Sequence, residues 1–104
     1  MPIGKYYFIG AKNVNEEKIK LFQQAIGDSL KDARLALRIG RPKAAVLTGV
    51  PASTIHNTEN VVYEQVLPTV LKMAVSYGIN PAQLIRQHLY LLEEGESEAA
   101  ENHY

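Results

Sequence analysis

Apolar residues recur at Phe22, Ile26, Leu30, Ala33 and Leu37, three or four positions apart, with mostly polar residues between them. Such spacing lays one apolar stripe along a helix and predicts a leading helix over 15–38. Asn15 offers a capping side chain, and Glu16 and Glu17 place acids in the first turn, where the helix dipole is positive. Gly27 falls inside the stripe. The pattern admits one helix running through it, or a break and a restart capped by Asp28 or Ser29.

Shorter patterns follow. Gly40 is expected to end the leading helix, and Pro42 suits the first turn of a second helix over about 41–48, where its missing N–H has no helical partner to lose. Ala44, Ala45 and Leu47 precede Gly49, and Val50 and Ile55 follow it, so two short apolar faces meet around one glycine. A left-handed glycine stops the second helix there, and Val50 fills the crossing with a third helix that Pro51 opens and that reaches about residue 60. Residues 61–66 read as a loop or an extra turn. Pro68 and Gly78 bracket a fourth helix with Val70, Leu71, Met73 and Ala74 as core candidates, and Asn80-Pro81 caps a fifth that carries Leu84, Ile85, His88, Leu89, Leu91 and Leu92. This last helix is more apolar than one side of a small domain requires. Its far end is expected to bury against a second subunit or to receive an arm.

At the start of the chain, Lys5-Tyr6-Tyr7-Phe8-Ile9 lies between Gly4 and Gly10 and reads as a short strand, paired across a dimer, or as an arm packed on the domain. The expected organisation is an arm or strand over 1–14, an all-α five-helix domain over 15–92, and a flexible acidic tail over 93–104.

With 104 residues, 46% of them hydrophobic, the chain suits one small domain. It has no cysteine, which excludes disulfides and thiolate metal sites. No run approaches the roughly 18 apolar residues of a membrane span, and no signal-like segment opens the chain, so a cytoplasmic location without membrane association is expected. A formal net charge of zero speaks against nucleic-acid binding, but its distribution reverses that inference. Between 31 and 43 stand five bases (Lys31, Arg34, Arg38, Arg41, Lys43) against Asp32 alone, whereas 93–101 holds five acids and no base.

Several pieces together resemble the Cro/repressor type of helix-turn-helix, the xenobiotic-response-element family of bacterial and phage regulators. They are Leu30 with Arg34, Ala45, Thr48-Gly49-Val50, Ser53-Thr54-Ile55 and Glu59-Asn60, followed by Leu71-Lys72-Met73-Ala74 and the run from Gly78 to Ile85. The likeness covers roughly 30–85. It implies a repressor-like five-helix fold and a sequence-specific, double-stranded DNA-binding transcriptional regulator, expected to be a repressor. It also implies two-fold dimers on palindromic half-sites about one helical turn apart. Val61 stands where the family usually has glycine, which leaves the exit from the third helix open.

By this resemblance the third helix enters the major groove and Ala52, Ser53, His56 and Asn57 contact base edges. Asn57 suits adenine, Ser53 several bases, and Ala52 a thymine methyl. Arg38, Arg41, Lys43 and Asn60 are the expected phosphate contacts, Arg41 standing where the family commonly has Gln. Arg34 and Glu59 are expected to form a buried structural ion pair, and Thr58, in place of an aliphatic residue, to loosen the core locally. His56, His88 and His103 form no ligand or acid–base cluster, and no nucleophile or phosphate-loop motif is present, so no enzyme activity, metal or cofactor is expected. The rival expectation is a helix-turn-helix fold serving as a protein-interaction module, antitoxin-like or anti-repressor, because the third helix lacks Lys and Arg and net charge is zero.

Overall fold

The leading stripe forms one unbroken helix, α1 (Glu16–Ala36), in the computed structural model, which describes residues 16–93. Ile26 and Leu30 are buried, and Phe22 and Ala33 pack beside them. Gly27 does not break the helix. Its missing side chain lets another helix approach: a Cβ there would stand 2.6 Å from the Glu59 carbonyl oxygen and 2.9 Å from that of Thr58.

The end of α1 departs from expectation. Its last residue is Ala36, and Arg38 takes a left-handed φ of 61° two residues before the glycine. Leu37 therefore sits in the turn and is 46% exposed, outside the core. Gly40 is extended (φ −82°, ψ 177°) and caps the next helix instead of ending the first. That helix, α2 (Arg41–Thr48), has Pro42 in its first turn and stops at Gly49, which is left-handed (φ 76°) and donates its N–H to the Ala45 carbonyl. Thr48 braces the turn through its hydroxyl, which donates to the Ala44 carbonyl (2.8 Å) and accepts from the Val50 N–H (3.1 Å). Leu47 lies on the flank of α2 and is half exposed, because Ala44 and Thr48 take the inner face.

Pro51 precedes α3 (Ala52–Asn60), whose inner face is Ile55, Thr58 and Glu59. Val61 ends it in a left-handed conformation (φ 51°), with its N–H and that of Val62 directed to the Asn57 carbonyl. A β-branched residue in that conformation costs about 1–3 kcal/mol and has to be held by its surroundings. The following loop is latched to α1. Gln65 donates its side-chain N–H to the carbonyls of Gln23 (2.8 Å) and Thr58 (3.1 Å), and Gln23 donates to the Glu64 carboxylate (3.1 Å).

Val70, Met73 and Ala74 of α4 (Leu67–Ser76) enter the core with Tyr77, whereas Leu71 is exposed on the helix flank. After Gly78 (φ 84°), the Asn80 side chain accepts from the Ala82 and Gln83 N–H groups and caps α5 (Pro81–His88). The α-helical geometry ends at His88, not at residue 92; Leu89–Leu92 is a 3-10 turn that packs back on α1. His88 Nε2 lies 3.0 Å from Ser29 Oγ across this contact. The segment expected to seek a second subunit is thus half-covered by its own chain. Leu30, Ile55, Met73 and Leu84 are the most enclosed large side chains, so α1, α3, α4 and α5 each contribute one. The described residues form an all-α domain of five helices without a strand, and none of these helices is long and apolar enough to cross a membrane. The expected strand over 1–14 and all but Glu93 of the acidic tail lie outside the described residues.

The packing at Gly27 yields a prediction opposite in sign to helix propensity. Gly27→Ala gains about 1 kcal/mol of propensity. The added methyl, however, meets backbone that cannot swing aside, and such overpacking costs about 1–3 kcal/mol or more. Urea unfolding is expected to show a net loss of stability. A gain would mean that α1 and α3 are not in this close contact.

Candidate nucleic-acid interface

Residues on one side of α3 are turned inward, which decides what its other side presents. Ser53, His56 and Asn60 are exposed, and Ala52 and Asn57 are half-buried at the margin. The spacing of these five places them along one strip about 12 Å long at 1.5 Å per residue. The four residues expected to read bases therefore share a face, and no charged side chain stands among them. Asn57 is recessed into a small cleft lined also by Thr54, Tyr63, Val66 and Thr69. Asn60 is turned to its own helix: its amide donates to the His56 carbonyl (2.9 Å) and lies 3.3 Å from His56 Nδ1. Instead of standing free for a phosphate, it organises the end of the strip.

The cations divide into two groups. Arg38, in the turn after α1, and Lys43, in the first turn of α2, are exposed. Arg41 is drawn inward, with Nη2 3.2 Å from Glu59 Oε1 and its side chain 31% exposed. Glu59 itself has no exposed side-chain surface. It accepts from Arg34 Nε at 2.7 Å and Arg34 Nη2 at 3.1 Å, while Arg34 Nη1 donates to the Ile39 carbonyl at 2.9 Å. The expected pair of Arg34 and Glu59 is present as two parallel hydrogen bonds, and Arg41 makes it a triad. Nothing local in the sequence separates a phosphate contact from an inner ion pair for Arg41; the packing of α2 on α3 does. Thr58, expected to loosen the core locally, is buried, and its carbonyl accepts from Gln65, which ties this position to the loop latch.

The Glu59 hydrogen bonds raise the pKa of Arg34, burial opposing them, so this guanidinium stays charged. Tyr77 lies close enough to feel both charges. Burial, and then the Glu59 carboxylate, push its phenol above the ordinary tyrosine range, with Arg34 acting against them. Its hydroxyl is enclosed and has no hydrogen-bond partner among the described residues; nor has Arg41 Nε. His56 and His88 belong to separate sites, and no group of three or more His, Cys, Asp or Glu able to hold a metal ion occurs among the described residues.

Comparison with protein-family models, with curated proteins and with solved structures finds no match to this chain.

The triad and its neighbour Tyr77 set the stability of three variants. Glu59→Gln leaves two guanidiniums facing an uncharged amide and is expected to cost about 3–5 kcal/mol, the range for a buried ion pair broken from one side. Arg41→Ala leaves Arg34 in place and removes a partly exposed partner, so about 1 kcal/mol is expected. Equal losses in chemical denaturation would contradict the geometry of the triad. Tyr77→Phe removes an enclosed, unpartnered hydroxyl and is expected to stabilise the protein by about 1 kcal/mol. Because the folded pKa of Tyr77 is raised, its proton-linked stability is full below the unfolded value near 10 and is lost as pH rises through the folded value. Thermal unfolding between pH 9 and 12, scanned for both proteins, should therefore fall less steeply in the variant.

Proposed function

We propose that the chain is a sequence-specific, double-stranded DNA-binding transcriptional regulator, a repressor in the cytoplasm, that lays α3 in the major groove. The observation that carries this reading is the uncharged strip of Ala52, Ser53, His56 and Asn57, the second and third exposed and the other two at its margin, on a helix whose opposite face is locked into the core. Short side chains make base contact only if the helix backbone comes close to the base edges. A charge-free strip allows that approach, with Asn57 offering a donor and an acceptor to adenine and Ala52 a methyl contact to thymine. His56, braced by Asn60, adds a ring nitrogen to the same row.

The charge of the helical domain supports the same reading. Residues 16–93 hold nine Lys and Arg against seven Asp and Glu, while 94–104 hold four acids and no base, so the helical domain is more basic than the whole chain. Arg38 and Lys43 are free to meet phosphates. Arg41 serves mainly to hold Glu59 through Nη2 and leaves only its exposed edge toward solvent. Two copies acting on a palindromic operator, as a homodimer, belong to this reading.

A second reading rests on a different observation. Val46 is 85% exposed on the outer side of α2, beside the half-exposed Leu47, and an apolar surface there is of no use to a phosphate backbone. It favours a protein-interaction module built on the same pair of helices.

Fluorescence anisotropy of the full chain with a pool of random duplexes separates the two. The DNA reader binds with an affinity that falls as salt rises. Two phosphate contacts per copy give a log–log slope near −1.8 for each copy, at about −0.9 per contact. Lys43→Ala is expected to flatten the slope by about one contact, whereas Asn57→Ala lowers affinity for the selected operator without changing the slope. A folded protein that binds no duplex even at about 50 mM salt, where phosphate contacts are least weakened, would leave the interaction module standing.

A further inference from the structure

An open groove of about 890 Å³ separates the first two turns of α1 from the loop that leaves α3. Ile19, Val62 and Tyr63 present exposed apolar surface in it, at 40%, 50% and 69% exposure. Glu16, Glu17 and Glu64 supply three carboxylates around it against one ammonium, Lys20. We propose that this groove is the seat of residues 5–9 of the same chain, Lys5-Tyr6-Tyr7-Phe8-Ile9.

Length, charge and composition select that occupant. Residues 10–15, six in all, join this segment to Glu16 at the rim of the groove. Fully extended they reach about 20 Å, and the α1 wall from Glu16 to Gln23 is only about 10 Å long. The segment can therefore fold back along the groove without strain. Residues 1–15 carry Lys5 and Lys12 and no acid, complementing the three carboxylates. Residues 94–104, with four acids and no base, are repelled by the same rim. Tyrosine and phenylalanine rings match an apolar floor that stays open to water, where the tyrosine hydroxyls remain solvated. A short tether also gives the chain's own segment an effective concentration of order millimolar, which the segment of a second copy matches only at similar protein concentration.

Occupancy has a consequence for α3. The groove wall includes Val61, whose left-handed conformation ends that helix, and the Gln23–Gln65 latch lies beside it. Seating the segment holds the costly Val61 turn in place and steadies the last turn of α3.

The test uses the full chain in a one-to-one mixture of isotopically labelled and unlabelled protein. Nuclear Overhauser contacts between the Phe8 ring and the Ile19 methyls are expected within one molecule and absent between molecules. Amide exchange at Val62 and Tyr63 is expected to rise about tenfold in Phe8→Ser, and by a similar factor in Ile19→Asp, with no further rise when the two are combined. Ile19 is a surface position, so its variant folds and the comparison stands. Contacts seen only between molecules would overturn the proposal in favour of exchange between two copies. Absence of contacts, or additive effects of the two substitutions, would overturn it in favour of another occupant.

Discussion

Three helices meet at one buried carboxylate. Glu59, on the last turn of α3, binds Arg34 of α1 and Arg41 at the start of α2, and Arg34 also holds the Ile39 carbonyl in the turn between those helices. A carboxylate without exposed side-chain surface is tolerated only when its charge is matched and its oxygens are filled. The position of each helix is therefore tied to the other two. Gly27 makes the lock possible, since the Thr58 and Glu59 carbonyls approach α1 where any side chain would stand in their way. Close backbone approach and a buried ion cluster thus occur at one place and depend on each other.

The lock also sets the orientation of α3 about its own axis. With Ile55, Thr58 and Glu59 turned inward, Ser53 and His56 point outward, and the start of the helix is fixed by the turn through Gly49 and Val50. Thr48 closes that turn with two hydrogen bonds, using a polar side chain as filler where an aliphatic one would leave the Val50 N–H unpaired. A rigidly presented strip is what recognition by short side chains requires, because they cannot adjust their reach. The other end of α3 is held less economically. Val61 adopts a conformation suited to glycine, and the loop after it relies on the Gln23 and Gln65 amides to stay against α1. The least stable part of the domain is expected where that latch borders the open groove.

Electrostatics divides the basic residues between structure and surface. Two arginines on one carboxylate leave the buried cluster with an excess of one positive charge, close to the start of α2 and to the exposed Lys43. That arrangement biases the field on this side of the molecule toward anions while the outward face of α3 stays uncharged. Under the proposed function, attraction and reading thus fall to different residues.

Much of this was legible in local patterns. The stripe from Phe22 to Ala33, the left-handed Gly49 with the buried Val50, Pro42 and Pro51 at helix starts, and the Asn80 cap all act within a few residues, so the chain alone determined the number of helices, their starts and the central turn. Arg34 with Glu59 was legible too, but only through a family resemblance. What the tertiary structure decided involves partners distant along the chain. Gly27 looked like a possible break because its reason for being glycine lies about thirty residues on, in the carbonyls of α3. Arg41 looked like a surface cation because its partner is eighteen residues away. Leu37, Leu47 and Leu71 fit apolar periods yet are exposed, since a period names a face and only packing shows how wide that face is. The same limit applies where α1 ends at Ala36, with Arg38 left-handed in the turn ahead of Gly40, and where α5 gives way to a 3-10 turn. Spacing along the chain specifies helices and their inner sides; which side chains become neighbours is settled when those sides compete for one small core.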